Sequence, residues 1–126
     1  MAGEPILIVD DNPTNSKLVR IILEAEGFDV RIADDAENAL QLLNELTPRL
    51  ILMDLQLPGM DGLQLTRQLR QQARWNQTWI VALTAYAMKG DDEKALRAGC
   101  DGYLTKPIEP DALPQQIAAY LARTRE

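Results

Sequence analysis

Histidine is absent from this chain of 126 residues, and its absence excludes several kinds of site. Without an imidazole there is no Ser-His-Asp triad, no histidine-ligated zinc and no histidine general base. Only one cysteine is present, Cys100, so the chain forms no internal disulfide and its fold does not depend on an oxidising compartment.

Long apolar runs are also missing. The longest, residues 117–122, is far shorter than the roughly 20 residues of a membrane-spanning helix. The N-terminal residues lack the basic and apolar segments of a signal peptide. We therefore expect a cytoplasmic protein with no membrane partner. The net charge of −6 argues against nucleic acid as a partner, because binding to a phosphate backbone requires clustered lysine and arginine.

Short β-rich runs alternate with helical patterns along the whole chain, which predicts one domain over residues 1–126. The first, third and fourth runs are apolar nearly throughout, as expected of strands buried on both faces, whereas the second carries charges and suggests an edge strand. This (βα)5 order predicts an α/β fold with a doubly wound, flavodoxin-like parallel sheet of strand order 2-1-3-4-5. The runs cover residues 6–10, 29–33, 50–54, 79–84 and 102–105.

Capping residues mark the ends of the predicted helices. Asn12, Asp35 and Asp111 are candidate N-caps for the first, second and fifth helices, and Gly27 and Gly99 end the first and fourth. The first helix is expected to turn an apolar stripe towards the sheet, formed by Leu18, Val19, Ile22, Leu23 and Ala25.

Polar side chains fall where the predicted strands end: Asp10 and Asp11 after the first, Asp54 at the end of the third, Thr84 at the end of the fourth, and Lys106 beyond the fifth. The carboxyl ends of parallel strands share one edge, so these residues should converge. Taken singly, most have a simpler explanation as a helix cap, a turn residue or a solvated lysine. Asp54 does not, because the Leu-Gln-Leu-Pro-Gly segment after it is not a helix that it could cap.

Three carboxylates at one point repel each other unless a cation is bound. Oxygen ligands without histidine or cysteine select a hard cation, and Mg²⁺ characteristically uses few protein ligands. A metal site with a lysine and a hydroxyl nearby has the parts that phosphoryl transfer requires, and a carboxylate can serve as the nucleophile.

Four stretches resemble the receiver domains of response regulators, the CheY-like family, and the resemblance extends from about residue 6 to 122. It implies that Asp54 is the phosphoacceptor. It also implies that Asp11 and Asp54 bind Mg²⁺ directly, that Asp10 acts mainly through water, and that the backbone carbonyl of Gln56 is a further ligand. The stretches are IVDDNPTN at 8–15, LILMDLQLPGMDG at 50–62, VALTAYAMKGD at 81–91 and AGCDGYLTKPI at 98–108.

The same resemblance implies a switch. Lys106 would pair with Asp54 and then with the phosphoryl oxygens, while Thr84 would donate a hydrogen bond to the phosphoryl group. Tyr103 matches an aromatic position that turns inward when Thr84 moves. The output surface would be the face of the fourth helix, fifth strand and fifth helix, and the Lys106–Pro107 peptide bond is predicted to be cis.

The lifetime of the phosphoryl group should depend on Gln56 and Tyr86, which the resemblance places beside the path of attacking water. Gln56 is neutral, and the Tyr86 hydroxyl, with an ordinary pKa near 10, is a poor base at neutral pH. We therefore expect Tyr86 to slow hydrolysis by obstructing water. The alternative is that Tyr86 points to solvent and has little effect.

These observations predict a stand-alone response regulator in a phosphorelay, with a histidine kinase or histidine phosphotransfer protein as donor and a protein as target. Residues 85–108 are similar both to single-domain regulators of the DivK kind and to receivers attached to hybrid kinases, so a receiver module of a hybrid kinase is the alternative. A magnesium-dependent phosphatase with an aspartate nucleophile is a third hypothesis. It is disfavoured because Asp54 is not followed two residues later by a general acid. We expect no enzyme activity beyond the domain's own phosphorylation and slow dephosphorylation.

Overall fold

The computed structural model describes residues 3–55, 57, 60–84, 91–105 and 108–123, with the backbone alone at 91 and 92. In these residues strands and α-helices alternate. The strands are β1 (Pro5–Val9), β2 (Asp29–Ala33), β3 (Leu50–Asp54), β4 (Trp79–Thr84) and β5 (Gly102–Thr105). The helices are α1 (Pro13–Ala25), α2 (Ala36–Leu43), α3 (Gly62–Arg70), α4 (Asp91–Ala98) and α5 (Leu113–Ala122), and a 3-10 helix (Ala73–Trp75) precedes β4.

The strands form one parallel sheet in the order β2-β1-β3-β4-β5, which confirms the predicted topology and the edge position of β2. β1 is hydrogen-bonded to both β2 and β3, so the direction of winding reverses at β1. In such sheets a crevice opens outside the carboxyl ends of the strands on either side of the reversal. A binding site is therefore expected at the carboxyl ends of β1 and β3.

Helices cover both faces of the sheet because successive strand side chains point to opposite sides. On β1, Ile6 and Ile8 pack with α1 and α5, while Leu7 and Val9 pack with α2, α3 and α4. β3 and β4 are buried at every residue, which explains their uninterrupted apolar sequences. No helix within the described residues is long and apolar enough to cross a membrane.

Most of the predicted helix ends are confirmed. The Asn12 side chain accepts a hydrogen bond from the backbone of α1, and the Asp35 side chain does the same for α2. Gly27 and Gly99 have φ angles of +90° and +113°, a conformation that suits glycine after a helix.

Two expectations about helices are wrong. Leu18 is 42% exposed and Ala25 is also exposed, because α1 turns a narrower face inward, on which Val19 and Leu23 are fully buried. Asp111 does not cap α5. The chain enters that helix through a backbone turn, in which the N–H groups of residues 112 and 113 donate to the Glu109 carbonyl.

Candidate functional site

Three carboxylates meet at the carboxyl ends of β1 and β3. Asp10 and Asp11 directly follow β1, and Asp54 is the last residue of β3, to which β1 is hydrogen-bonded. One oxygen from each carboxylate lies within 4.8 Å of the others. Asp10 and Asp54 are 1% and 2% exposed, whereas Asp11 is exposed. The cluster is therefore buried on one side and open to solvent on the other.

Asp10 is held by two hydrogen bonds from the start of α1. The backbone N–H of Asn12 donates to Oδ1 at 2.9 Å, and the side-chain amide of Asn15 donates to Oδ2. Asn12 is itself the N-cap of α1, so capping that helix is not the role of Asp10 or Asp11. Sequence reasoning missed the role of Asn15, although this residue is the last of the first stretch that resembles the family, and it lies in the first turn of α1.

The start of α3 packs closely against the backbone of Asp54. Gly62, the first residue of that helix, lies so close that an added Cβ would be 2.3 Å from the Asp54 carbonyl oxygen and 3.0 Å from the Leu55 Cα. The helix is fixed at this end by a reciprocal cap, in which Asp61 and Gln64 exchange side-chain to backbone hydrogen bonds. Sequence reasoning missed this contact too; the signal was a glycine at a helical position.

Thr84 lies on the same edge, beside Asp54. The Cα partner of Asp54 in β4 is Leu83, so Thr84 is one residue beyond it, and the Thr84 side chain is buried. Tyr103 lies on the neighbouring strand β5, with Ala82 as its Cα partner, and is half-buried. Tyr103 also borders a surface cavity of about 310 Å³ between β5 and α5.

Four of the predicted site residues lie outside the described part of the chain: Gln56, Tyr86, Lys106 and Pro107. The carbonyl ligand, the lysine contact, the obstruction of water and the cis peptide bond therefore stay predictions. Of the predicted residues that are described, Asp10, Asp11, Asp54 and Thr84 share one edge of the sheet, and Tyr103 lies on the adjoining strand.

The electrostatics of the cluster favour a bound cation. Two carboxylates 4.8 Å apart repel by about 3–4 kcal/mol at the effective dielectric constant of about 20 that suits protein sites, and the buried pair Asp10 and Asp54 lies within that distance. Carboxylate oxygens on an edge open to solvent, where water can complete the coordination, are the ligands that Mg²⁺ uses. The residues present thus fit a magnesium ion.

The model of the response regulator receiver domain matches residues 6–118 of this sequence. The chain belongs to the response regulator receiver family. Membership accounts for the parallel sheet, for the acidic cluster at the end of β1 and β3, and for the threonine that ends β4. Receiver domains are signalling domains of two-component systems rather than classical enzymes, and accepting a phosphoryl group is their general role.

Relatives of this receiver domain include a response regulator and the receiver domain of a sensor histidine kinase. The polar-differentiation response regulator DivK of Brucella anthropi is 40% identical over 116 residues, which are 92% of this chain and 94% of DivK. The receiver domain of sensor histidine kinase PA1611 from Pseudomonas aeruginosa PAO1 is 35% identical, with a TM-score of 0.87 and coverage of 97% of this chain and 100% of that one. That structure has a magnesium ion coordinated in the active-site cleft.

A second solved structure supports the same fold. The CheY-like receiver domain protein from Methanospirillum hungatei JF-1 is 32% identical, with a TM-score of 0.85, over 95% of this chain and 94% of that one. The recognition made from the four sequence stretches is thus confirmed.

Proposed function

We propose that Asp54 of this receiver domain accepts a phosphoryl group from a phosphohistidine on a histidine kinase or a histidine phosphotransfer protein. In this proposal Mg²⁺ is held by Asp10, Asp11, Asp54 and the backbone carbonyl of Gln56. The observation that carries it is the meeting of three carboxylates at the carboxyl edge of the sheet, two of them buried. An acidic cluster with no role beyond structure would lower the stability of the protein, because buried like charges repel each other and destabilise the fold.

The transfer is a displacement at phosphorus. A carboxylate oxygen of Asp54 forms the new P–O bond while the P–N bond of the phosphohistidine breaks, and the imidazole leaves with the bonding electron pair. A magnesium ion held by these carboxylates would supply positive charge against the phosphoryl oxygens. Hydrogen bonds from Asn12 and Asn15 hold Asp10 in place, and the buried Thr84 hydroxyl and Lys106 are the proposed partners of the phosphoryl group.

The signal would leave through the face formed by α4, β5 and α5. We propose that Thr84 moves towards the phosphoryl group and that Tyr103 fills the space it vacates, so that a protein target meets two different surfaces. Tyr103 is half-buried and borders the cavity between β5 and α5, where a change of side-chain position would alter the surface. Chemical-shift changes on adding beryllofluoride should extend to this face; changes confined to the surroundings of Asp54 would contradict the switch.

We propose a stand-alone regulator consisting of a single domain, supported by the match to 94% of DivK. The receiver module of a hybrid kinase is the second candidate, supported by the similarity to the receiver of PA1611. The length of the natural reading frame distinguishes them. Phosphotransfer profiling against the histidine kinases of the source organism would identify the donor.

The direct test of the proposal is labelling with a phosphodonor and Mg²⁺. Asp54→Asn should lose the acid-labile label, while its circular dichroism spectrum stays that of the wild type. Asp34→Asn is a matched control, because Asp34 is an exposed acid that directly follows β2, two strands away from Asp54 in the sheet. Equal labelling of Asp54→Asn and wild type would refute the assignment.

The metal is tested separately by calorimetry. Asp11→Ala removes one of the three carboxylates without disturbing a buried side chain and should weaken Mg²⁺ binding. Unchanged Mg²⁺ affinity in this variant would refute the ligand set, whatever the outcome of labelling.

A further inference from the structure

A second polar site lies at the opposite edge of the sheet from Asp54. Three arginines border one surface cavity of about 390 Å³: Arg49 just before β3, Arg74 in the 3-10 helix before β4, and Arg123 just after α5. Among the described residues that line this cavity there is no carboxylate. The other lining residues are Thr47, Pro48, Gln77, Thr78 and Trp79.

Local contacts hold each guanidinium in place. Arg74 donates through Nη2 to the carbonyl of Leu43, the last residue of α2, at 3.0 Å, and its guanidinium carbon lies 4.2 Å from the centre of the Trp75 ring. Arg49 donates through Nη2 to the carbonyl of Leu121, in the last turn of α5, at 3.4 Å. Because a guanidinium carries five N–H donors, these contacts orient the two groups and leave most of their donors for a ligand.

Arg123 is oriented differently, with its guanidinium carbon 4.6 Å from the centre of the Tyr120 ring. Such a contact restricts the side chain and leaves its N–H groups available at the edges. Within the described residues, none of the three cavity arginines takes part in an ion pair.

The positive charge at this cavity is larger than the negative charge of the helix ends that point towards it. The carboxyl ends of α2, α3 and α5 point to this edge, and each carries about half a negative charge, so together they are offset by about one and a half positive charges. Three guanidiniums are present, and they stay charged at every physiological pH. A local positive excess therefore remains in a chain whose net charge is −6.

We propose that this cavity binds a small anion carrying two linked phosphate groups, of the diphosphate class. The planar guanidinium matches a phosphate with two parallel hydrogen bonds, and several arginines on separate elements suit a ligand with more than one phosphate. The volume is at the lower end of small-molecule sites, which favours a compact anion over an acidic peptide. The site shares no residue with the carboxylate cluster, so the inference stands independently of the function proposed for Asp54.

The test uses inorganic pyrophosphate as the probe. Mg²⁺ is left out so that the negatively charged carboxylate cluster at Asp54 continues to repel anions. In a ¹⁵N-labelled wild-type sample, amide shifts should change at Gln77 and Thr78 and not at Asp54. Arg74→Gln and Arg123→Gln should each weaken binding roughly tenfold, the effect of losing one charge-assisted hydrogen-bonded group. Arg31→Gln is the matched control, because Arg31 is an exposed arginine already paired with Asp29, and should leave affinity unchanged.

Arg123→Gln keeps the test valid if Arg74→Gln unfolds, because Arg123 contacts only the Tyr120 ring among the contacts described above. Equal affinity of wild type and Arg123→Gln would overturn the proposal. So would shift changes centred on Asp54, or binding that Arg31→Gln weakens equally. Binding of a glutamate-rich peptide at Gln77 and Thr78 without binding of pyrophosphate would overturn the ligand class.

Discussion

Replacing Gly62 with alanine should destabilise the protein, although glycine to alanine within a helix normally does the opposite. Alanine is favoured over glycine in helices by about 0.8–1.0 kcal/mol, and Gly62 begins α3. Its added Cβ, however, would lie 2.3 Å from the Asp54 carbonyl oxygen, where ordinary contact begins at 3.4 Å. The two groups must therefore separate by about 1 Å.

The structure leaves little freedom for that separation. Asp54 ends β3, which is buried along its whole length and hydrogen-bonded to β1 and β4. Gly62 is buried as well, and α3 is anchored by its cap. Forcing an extra methyl group into such packing costs about 1–3 kcal/mol, which exceeds the propensity gain. Because the atoms that the methyl group would meet are backbone, we take the upper part of this range, about 2–3 kcal/mol. Subtracting the propensity gain leaves an expected loss of about 1–2 kcal/mol of unfolding free energy for Gly62→Ala.

Urea unfolding followed by tryptophan fluorescence measures this loss, because Trp75 and Trp79 are both buried. Arg67→Ala is the matched control: Arg67 is an exposed residue of the same helix, and its replacement should change stability by less than about 0.5 kcal/mol. Labelling of Gly62→Ala should also be slower, since its Asp54 backbone is displaced. An alanine variant as stable as the wild type, or more stable, would refute the steric argument.

Three further predictions concern other parts of the molecule. Arg70 pairs with Asp101 at 2.7 Å, and both side chains are less than 20% exposed. Arg70→Met should therefore lower the unfolding free energy measured in urea by about 3 kcal/mol. Adding Asp101→Asn should recover part of this loss, and no recovery would contradict a charge effect. Burial raises the pKa of the Cys100 thiol to about 11, with the hydrogen bond to Thr66 acting in the opposite direction. The thiol of the unfolded chain therefore ionises at a lower pH than that of the folded protein. As pH rises from about 9 to 11, the wild type should lose unfolding free energy relative to Cys100→Ala by up to about 1.4 kcal/mol per pH unit. A stability difference between the two proteins that stays constant over this range would contradict the prediction. Once the donor is removed, Tyr86→Ala should lose its phosphoryl group faster than the wild type, and equal or slower decay would show that Tyr86 does not obstruct water.

Much of the fold was predictable because burial imposes a sequence pattern that does not depend on distant detail. A parallel strand covered on both faces must be apolar, so β3 and β4 appear as uninterrupted apolar runs that end at Asp54 and Thr84. Local caps such as Asn12 and Asp35 act within one turn of helix and can be identified without a tertiary structure. The convergence of Asp10, Asp11 and Asp54 followed from the parallel topology alone.

Other features were decided only by the tertiary structure. The bond from Asn15 to Asp10 and the approach of Gly62 to Asp54 depend on where helices meet the sheet. The exposure of Leu18 depends on how much of α1 its neighbours cover. The cavity bordered by Arg49, Arg74 and Arg123 has no sequence signature, because those residues follow no common spacing. Periodicity specifies which elements form, whereas side-chain distances between elements arise only when the elements pack.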